Sequence, residues 1–207
     1  MDHVPCPQSY FLTHTRFESS FVVPKFLQIS ALTSVSDLSA YQVEVYFNGA
    51  TSPGATLALH DVALEPCESW VIGDDGETLT FEADQEVTNN LWNGDDAIIL
   101  RRISDNAIMD SIGQVGVDPG SFYFGNGVST QNQSLCRKAT ISAGDTDASD
   151  AFDPSIEWNT FAQDTFFTEM DSGCKCFSAS GPGPTEPTSA PTQGPTTTPL
   201  DVFIQDI

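Results

Sequence analysis

The sequence predicts an all-β protein, and three observations lead to that prediction. Residues Tyr41–Phe47 alternate with a period of two, the pattern of a strand with one buried face. Two apolar runs, Ala97–Leu100 and Ala107–Ile112, are separated by a short polar break that is typical of a β-hairpin. Gly, Pro and Asn recur between short apolar segments, and this spacing indicates a sandwich of short strands rather than alternating strands and helices.

The elements before the hairpin can be predicted in chain order. The apolar residues of Arg16–Ile29 predict a strand, which Pro24 either places at a sheet edge or interrupts. In Tyr41–Phe47, the odd-numbered residues would face the core, with Gln42, Glu44 and Tyr46 on the opposite face. The next predicted elements are strands at Ala55–Leu59, Ser69–Gly73 and Thr78–Phe81, followed by a short helix or loop at Ala83–Asn90.

After the hairpin, the chain returns to the core before its composition changes. Ser134–Ile141 is predicted as a strand, and Asp145–Pro154 as a loop that Phe152, Trp158 and Phe161 dock onto the core. The segment Ser178–Pro199 consists almost entirely of Gly, Pro, Ser, Thr and Ala, with Glu186 as its single charge. Such a composition predicts a disordered, extended and semi-stiff linker.

The last residues become apolar again, which predicts a new element after the linker. Leu200–Ile207 has the composition of a strand, and we expect it to begin a following domain and to be unpaired within this chain. The predicted organisation is an irregular segment, a folded domain, a linker and the start of a following domain or a tail, at residues 1–14, 15–176, 177–199 and 200–207.

The charge balance excludes some classes of partner. The chain has 29 acidic and 7 basic residues, a formal net charge of −22. Because nucleic-acid affinity comes largely from Lys and Arg that neutralise phosphates, we expect no direct nucleic-acid binding, and the same charge disfavours an anionic membrane. Ca²⁺, Mg²⁺ or a basic protein would suit the surface better, although the charge also serves solubility. The few basic residues are expected to pair with carboxylates such as Asp95 and Asp96.

Four carboxylates close together form a candidate metal site: Asp145, Asp147, Asp150 and Asp153. The segment lacks the Gly at the sixth position of an EF-hand loop and has Ile156 at the twelfth, so it is not an EF-hand. Two interpretations remain open, solvated loop carboxylates and a Ca²⁺ site. No other cofactor is predicted.

The sequence contains no recognisable catalytic motif. His60, the one His of the predicted folded body, precedes Asp61, and neither a nucleophile elbow nor a phosphate-binding loop accompanies it. A pair of carboxylates that cleaves glycosides stays open, because their spatial separation decides that chemistry. We therefore predict no catalytic residue and no enzymatic activity for this chain by itself.

Cysteine usage and the first residues bear on the compartment. Two disulfides and one free thiol would fit an oxidising compartment, and the pairing is open among Cys6, Cys67, Cys136, Cys174 and Cys176, except that Cys174 and Cys176 are too close for an easy mutual disulfide. Met1–Pro5 has neither the basic nor the apolar region of a signal peptide. No run approaches the length of a membrane helix, so no membrane association is predicted.

Several motifs in a fixed order resemble one known family. They are an NGDDAI segment, a D-x-x-G-x-x-G-x-D-P-G segment, an S-L-C-R-K segment and an F-D-P-S-x-E-W segment, at Asn93–Ile98, Asp110–Gly120, Ser134–Lys138 and Phe152–Trp158. With Asp37–Tyr41 and Tyr46–Gly49, they span roughly residues 15–170 and resemble the lamin-tail domain of the bacterial, extracellular-nuclease-associated type. Ser19 and Gln28 stand where that family has Gly and Glu.

The resemblance implies a fold, a location and a role. It implies an immunoglobulin-like β-sandwich and a non-catalytic accessory or scaffolding module, within a secreted or cell-surface protein such as an extracellular nuclease. The implied partners are a linked downstream domain and a protein or matrix ligand, without an obligate oligomer. The residues that match the family motifs, with an implied structural role, are Asn93, Gly94, Asp95, Asp96, Asp110, Gly113, Gly116, Asp118, Pro119, Gly120, Arg137, Lys138 and Trp158.

Two other functions are weighed against this one. A calcium-dependent adhesion or matrix module is the main alternative, because the acidic loops would suit that ion. An autonomous acidic hydrolase is the third and is the least supported by the motifs. The absence of a heptad run argues against an intermediate-filament protein, in which the same fold follows a long rod.

Overall fold

The chain folds into an all-β structure. The computed structural model describes residues 25–66, 68–74, 83–88, 92–138, 140–141 and 143–162, together with the backbone of 201–205. Helical segments in this part of the chain are α1 Pro154–Glu157 and two 3-10 turns, Leu38–Ala40 and Phe47–Gly49, and none could cross a membrane. The described strands are β1 Phe26–Ser30, β2 Tyr41–Tyr46, β3 Ala55–Ala58, β4 Ser69–Asp74, β5 Gln85–Val87, β6 Ala97–Arg102, β7 Ala107–Ile112, β8 Phe124–Gly125, β9 Val128–Ser129, β10 Gln133–Arg137, β11 Trp158–Ala162 and β12 Asp201–Gln205.

Two sheets share one apolar core. The larger sheet has the order β11-β10-β12-β1-β4-β5, the smaller has the order β3-β2-β6-β7, and β8 and β9 form a separate ribbon. The described pairings are antiparallel, except that β4 and β5 run parallel. Leu27 and Ile72 of the larger sheet pack in the same buried cluster as Val45 and Leu100 of the smaller one. Burying one face of each sheet against the other is how an all-β domain removes its apolar side chains from water.

The predicted hairpin is confirmed. Strands β6 and β7 pair antiparallel, and the turn between them contains Asn106 with a positive φ of 60°. Asn tolerates this conformation better than other residues with a side chain. The register shifts between Leu100 and Arg101, and before that shift Leu100 lies opposite Asp110. The hairpin thus carries Asp110 into the interior of the protein.

The alternating strand is also confirmed, as β2. Val43 and Val45 lie in the shared core. The opposite face of β2 is buried as well, because Tyr46 packs in a second small cluster with Ala97 and Ile99. Glu44 on that face is 6% exposed and is neutralised by Arg101. Both edges of β2 are paired as well, because it lies inside its sheet, between β3 and β6.

Two peripheral predictions need correction. Strand β1 lies between β12 and β4, so the edge position is wrong, whereas its start two residues after Pro24 agrees with the other predicted alternative, an interruption at Pro24. Residues 85–87, predicted as part of a helix or loop, form strand β5 beside β4.

The predicted segment 1–14, the strand at 78–81 and the linker at 177–199 lie outside the described residues. The domain boundaries at 15, 176 and 199 stay predictions.

The C-terminal strand is the largest departure from expectation. The backbone of β12 pairs with β1 over five positions, from Phe26 opposite Gln205 to Ser30 opposite Asp201. It also meets β10, where Ser134 lies opposite Gln205. The expectation that 200–207 is unpaired in this chain is therefore wrong. The backbone groups of β1 and β10 need partners, and β12 supplies them. That 200–207 begins a following domain stays a prediction.

Candidate functional site

The motif residues of the C-terminal half meet around one buried arginine. Arg137 ends β10, and Trp158 begins β11 directly opposite it. Asp110 comes from β7 of the other sheet, and Glu157 ends α1. We call Asp110, Arg137, Glu157 and Trp158 the arginine cluster. The cluster joins both sheets and the short helix at one place.

The guanidinium of Arg137 is held from three sides. Its Nη2 donates to Oδ1 of Asp110 at 2.7 Å, and its Nη1 lies 3.2 Å from Oε2 of Glu157. Its Cζ lies 4.6 Å from the centre of the Trp158 ring, a cation–π distance. The side chains of Arg137 and Asp110 are 1% and 0% exposed. A buried charge pair of this kind is tolerated because each partner offsets the desolvation of the other.

Asp110 also holds the start of the loop that contains the four candidate metal ligands. Its Oδ1 accepts the backbone N–H of Ser111 at 2.9 Å and that of Asp145 at 2.7 Å. Arg137 donates from Nη1 to the carbonyl of Ala143 at 3.3 Å. A Cβ on Gly144 would lie 2.7 Å from the Cβ of Asp110, so this close approach requires glycine. The cluster therefore fixes the start of the 143–153 loop.

Burial affects the ionisable and polar groups of the arginine cluster. Burial raises the pKa of Glu157, and the positive charge of Arg137 opposes that rise without cancelling it. Nε of Arg137 and Nε1 of Trp158 are buried and have no hydrogen-bond partner within the described part of the chain. The arginine is thus enclosed by protein, and a phosphate in solution has no access to its donors.

Lys138 completes this region by holding the short helix. Its Nζ donates to the carbonyls of Ser155 at 2.6 Å and Ile156 at 3.1 Å. At the other end of α1, Asp153 is the N-cap, and its Oδ1 accepts the backbone N–H of Ser155 at 2.9 Å. Positive charge near helix C-terminal carbonyls and a carboxylate at the N-terminus both match the helix dipole. Lys138 and Asp153 therefore have structural partners.

The second motif group is the turn Asn93–Asp96, which we call the NGDD turn. Oδ1 of Asp96 accepts the backbone N–H of Asn48 at 2.9 Å, and Oδ2 accepts that of Asn93 at 2.8 Å. Oδ1 of Asn93 accepts the backbone N–H of Asp95 at 3.2 Å. Burial raises the pKa of Asp96, although both backbone hydrogen bonds act to lower it. Asp96 thus ties the start of β6 to the end of β2.

Asp95 lies beside this anchor without an equivalent role. It is 6% exposed, and its Oδ1 has no hydrogen-bond partner among the described residues. Burial raises the pKa of Asp95, and the negative charge of Asp118 raises it further. Asp118 itself closes the turn at Pro119, because its Oδ1 accepts the backbone N–H of Gly120 at 2.7 Å.

The remaining motif glycines occupy turns that require them. Gly113, Gly116 and Gly120 all have positive φ, between 81° and 98°. A Cβ on Gly113 would also lie 2.7 Å from the carbonyl oxygen of Asp96, so the turn after β7 packs directly on the NGDD turn. Gly94 is similarly close-packed, because a Cβ there would lie 3.0 Å from the carbonyl oxygen of Ser121. These residues shape the backbone and leave no side chain for chemistry.

The prediction that the basic residues pair with carboxylates is confirmed for Arg101 and Arg102, but their partners are not the two that were named. Arg101 donates from Nε to Oε2 of Glu44 at 2.8 Å, and Arg102 donates to Asp105 within the hairpin turn. Neither arginine pairs with Asp95 or Asp96. Burial acts to raise the pKa of Glu44, but hydrogen bonds from Arg101, Tyr46 and Gln42 outweigh it and lower the pKa. Sequence reasoning missed this network, because the period of β2 indicates a polar face for Glu44 and says nothing of its partner.

The four candidate calcium ligands do not share one arrangement. Asp145 and Asp147 lie close enough to Asp150 for their negative charges to raise its pKa. Oδ1 of Asp147 accepts both the N–H and the hydroxyl of Ser149, which lowers the pKa of Asp147. Asp153 is instead the cap of α1. Within the described ranges, no three acidic, His or Cys side chains are placed to hold a metal ion, and solvated loop carboxylates and a Ca²⁺ site both stay hypotheses.

Cys136 and His60 lie outside the two motif clusters. Cys136, in β10, is disulfide-bonded. His60 stacks edge-on against Trp70, with 5.5 Å between ring centres. The imidazole of His60 therefore contacts an indole, and the assignment of no catalytic role to His60 stays a prediction.

Comparison with protein-family models, curated proteins and solved structures gives no match to this chain. A functional assignment therefore depends on the geometry of the two motif clusters of this chain. Its main feature is that the charged motif residues bind backbone groups and one another. This arrangement can hold loops and join two sheets, and it leaves the charged groups of both motif clusters engaged or enclosed.

Proposed function

We propose that this chain is a non-catalytic accessory module of an extracellular or cell-surface protein, with the immunoglobulin-like sandwich fold that its resemblance to lamin-tail domains implies. In this role it would scaffold or position a linked domain, such as a nuclease or another phosphodiesterase. Two sheets around one core support the sandwich assignment.

The observation that carries the proposal is the use made of the charged motif residues. Asp110 and Arg137 form a buried ion pair with each other, and Asp96 binds two backbone N–H groups. A catalytic acid, base or phosphate clamp has to reach its substrate. Charged side chains that are enclosed and already have hydrogen-bond or ion-pair partners favour a structural role for the motifs.

The charge and the disulfide support the rest of the proposal. A net charge of −22 repels a polyanionic substrate, so a linked nuclease domain would have to supply its own affinity for nucleic acid. The disulfide of Cys136 favours an oxidising compartment. Mass spectrometry of the unreduced secreted protein should find Cys136 joined to another cysteine, and a free Cys136 thiol would contradict this location.

The functional proposal is tested by incubating the purified chain with labelled duplex DNA at about 0.15 M ionic strength. We expect neither cleavage nor retention with Mg²⁺, Mn²⁺ or Ca²⁺, and no difference from the same mixture with a chelator. Metal-dependent cleavage that is lost in Asp95→Asn or Asp96→Ala, with the fold retained, would refute the non-catalytic assignment. The buried Arg137→Met variant is less suitable here, because it should disturb the fold itself.

A further inference from the structure

The strand at the far end of the chain occupies an interior position in the larger sheet. Strand β12 lies between β10 and β1, with a full five-residue pairing to β1. Without it, the described sheet would divide into β11-β10 and β1-β4-β5, and β1 and β10 would each present an open edge. We call the space between these two edges the β1–β10 slot. Open edges of this kind are templates for an added strand.

The connection to β12 is much longer than its path requires. Strands β11 and β12 both run antiparallel to β10, so they run parallel to each other. Ala162 lies opposite Gln133 and Gln205 lies opposite Ser134, so both strands end at the same end of the sheet. The chain must therefore return along one strand length, roughly 15–20 Å with the step across two strands.

The sequence between them provides a large excess of reach. Residues 163–200 separate β11 from β12, and Ser178–Pro199 within them is rich in Pro, Thr, Ser and Gly. A chain of this composition spans about 3.1 Å per residue when extended. Its 22-residue portion alone could therefore reach about 70 Å, several times the distance needed within one copy.

We propose that copies of this chain exchange strand β12, so that the strand of one copy fills the β1–β10 slot of another. The contacts are the same in either case, because donor and acceptor have the same sequence. The balance is then set by the effective concentration that the linker imposes, which falls as a tether becomes longer than the distance it has to span. Exchange of an identical element between copies is a low-cost route to dimers.

The net charge of the chain makes strand exchange depend on the ionic strength. Two copies that each carry a net charge of −22 repel one another, and salt screens that repulsion. Exchange should therefore increase with protein concentration and with ionic strength. It would provide a non-obligate association, independent of the proposed scaffolding role.

The test uses the full chain with a cysteine on each side of one cross-strand pair, Ser30→Cys together with Asp201→Cys. These positions face each other in the β1–β12 pairing, and opposed positions of antiparallel strands fit disulfide geometry. Unlabelled and ¹⁵N-labelled samples are refolded together at rising concentration and then oxidised. Peptides linked through positions 30 and 201 are identified by mass spectrometry.

Mixed-label links report exchange, whereas same-label links come from a strand in its own slot or from exchange between copies with the same label. We expect same-label links at low concentration and a mixed-label fraction that rises toward roughly half, its statistical limit when the tether no longer dominates. Same-label links alone at every concentration and salt would overturn exchange. Absence of any 30–201 link in a folded sample would overturn occupation of the slot.

Proline variants provide the matched control. Ile204→Pro removes a backbone donor within β12 and should abolish the links, whereas Thr198→Pro lies in the linker and should leave them unchanged. Because Ser30 is buried, its variant could misfold, so a second measurement uses the unmodified chain. Light scattering after concentrated refolding should find a dimer that Ile204→Pro lacks. An exclusively monomeric unmodified chain under all these conditions would contradict the proposal.

Discussion

Asp96 and Asn48 are 48 positions apart in the sequence and are joined by a hydrogen bond of 2.9 Å from the backbone N–H of Asn48 to Oδ1 of Asp96. The other oxygen of the same carboxylate accepts the N–H of Asn93. One side chain thus closes its own turn and anchors the turn after β2. This explains why a carboxylate is useful at this point of the chain without invoking catalysis.

Asp96→Ala should destabilise the protein by about 1.5–3 kcal/mol, because two backbone N–H groups lose a charged acceptor. The free energy of unfolding from chemical denaturation measures the effect. Asp118→Ala is the matched control, since Asp118 binds one N–H group in an exposed turn and its loss should matter less. Equal, small effects of both substitutions would contradict an anchoring role for Asp96.

Asp95→Asn should instead raise the melting temperature at neutral pH, because it removes a buried charge whose Oδ1 has no described partner. The folded-state pKa of Asp95 is raised above its ordinary value of 3.8. The wild-type protein therefore gains stability from this group as the pH falls through the folded pKa, and the gain is complete below 3.8.

The advantage of Asp95→Asn should consequently be largest at neutral pH and disappear as the pH approaches 3.8. Melting curves of both proteins across this range give the comparison. A variant that is less stable than wild type at neutral pH would show that Asp95 has a stabilising partner, such as a bound cation.

The fold was predictable where local pattern and tertiary environment agree. The hairpin at Ala97–Ile112 combines apolar runs with turn residues, and its pairing follows from them. Strand β5 and the position of β1 were missed, because pairing partners distant in sequence decide them. The polar face of β2 was misjudged for the same reason, since Arg101 covers Glu44 only after β6 has paired with β2.

The candidate site was predictable as a set of residues but not as an arrangement. The motifs included Asp110, Arg137 and Trp158, yet nothing in their spacing indicates that a cation lies between a carboxylate and an indole. Gly144 was missed, because its requirement comes from the approach of Asp110 and not from a turn motif. The identity of a motif residue can be read from its own stretch of sequence, whereas a contact between two sheets joins residues that are distant in the sequence.

Titration calorimetry with Ca²⁺ decides the main alternative function. We expect no saturable heat at millimolar Ca²⁺, because the carboxylates of Asp147 and Asp153 already accept N–H and hydroxyl groups of Ser149 and Ser155. A saturable heat that weakens in Asp147→Ala would favour the calcium-dependent adhesion or matrix module instead. Asp61→Ala, outside this loop, serves as the control for general charge effects.

Ile204→Pro should lower the melting temperature by several degrees, because proline cannot donate a hydrogen bond to a neighbouring strand. Thr198→Pro, outside the strand, should leave the melting temperature unchanged. Thermal unfolding followed by circular dichroism provides the measurement. Identical melting temperatures for both variants would mean that β12 contributes nothing to the stability of the sheet, and that the tail belongs to another domain.

The central claim is that the charged motif residues hold the two sheets together, and the ion pair between Asp110 and Arg137 is its most direct test. Removal of either partner, in Asp110→Ala or Arg137→Met, should cost about 3–5 kcal/mol, because the other charge is left buried. Arg102→Met, which disturbs an exposed pair in the hairpin turn, should have little effect.

A double-mutant cycle on denaturant unfolding separates the pair from its surroundings. We predict that Asp110→Ala combined with Arg137→Met is less destabilising than the sum of the single variants, with a coupling energy of about 0.5–3 kcal/mol. Strictly additive losses, or single variants that unfold like wild type, would show that the pair does not hold the sheets and would contradict the structural assignment of the motifs.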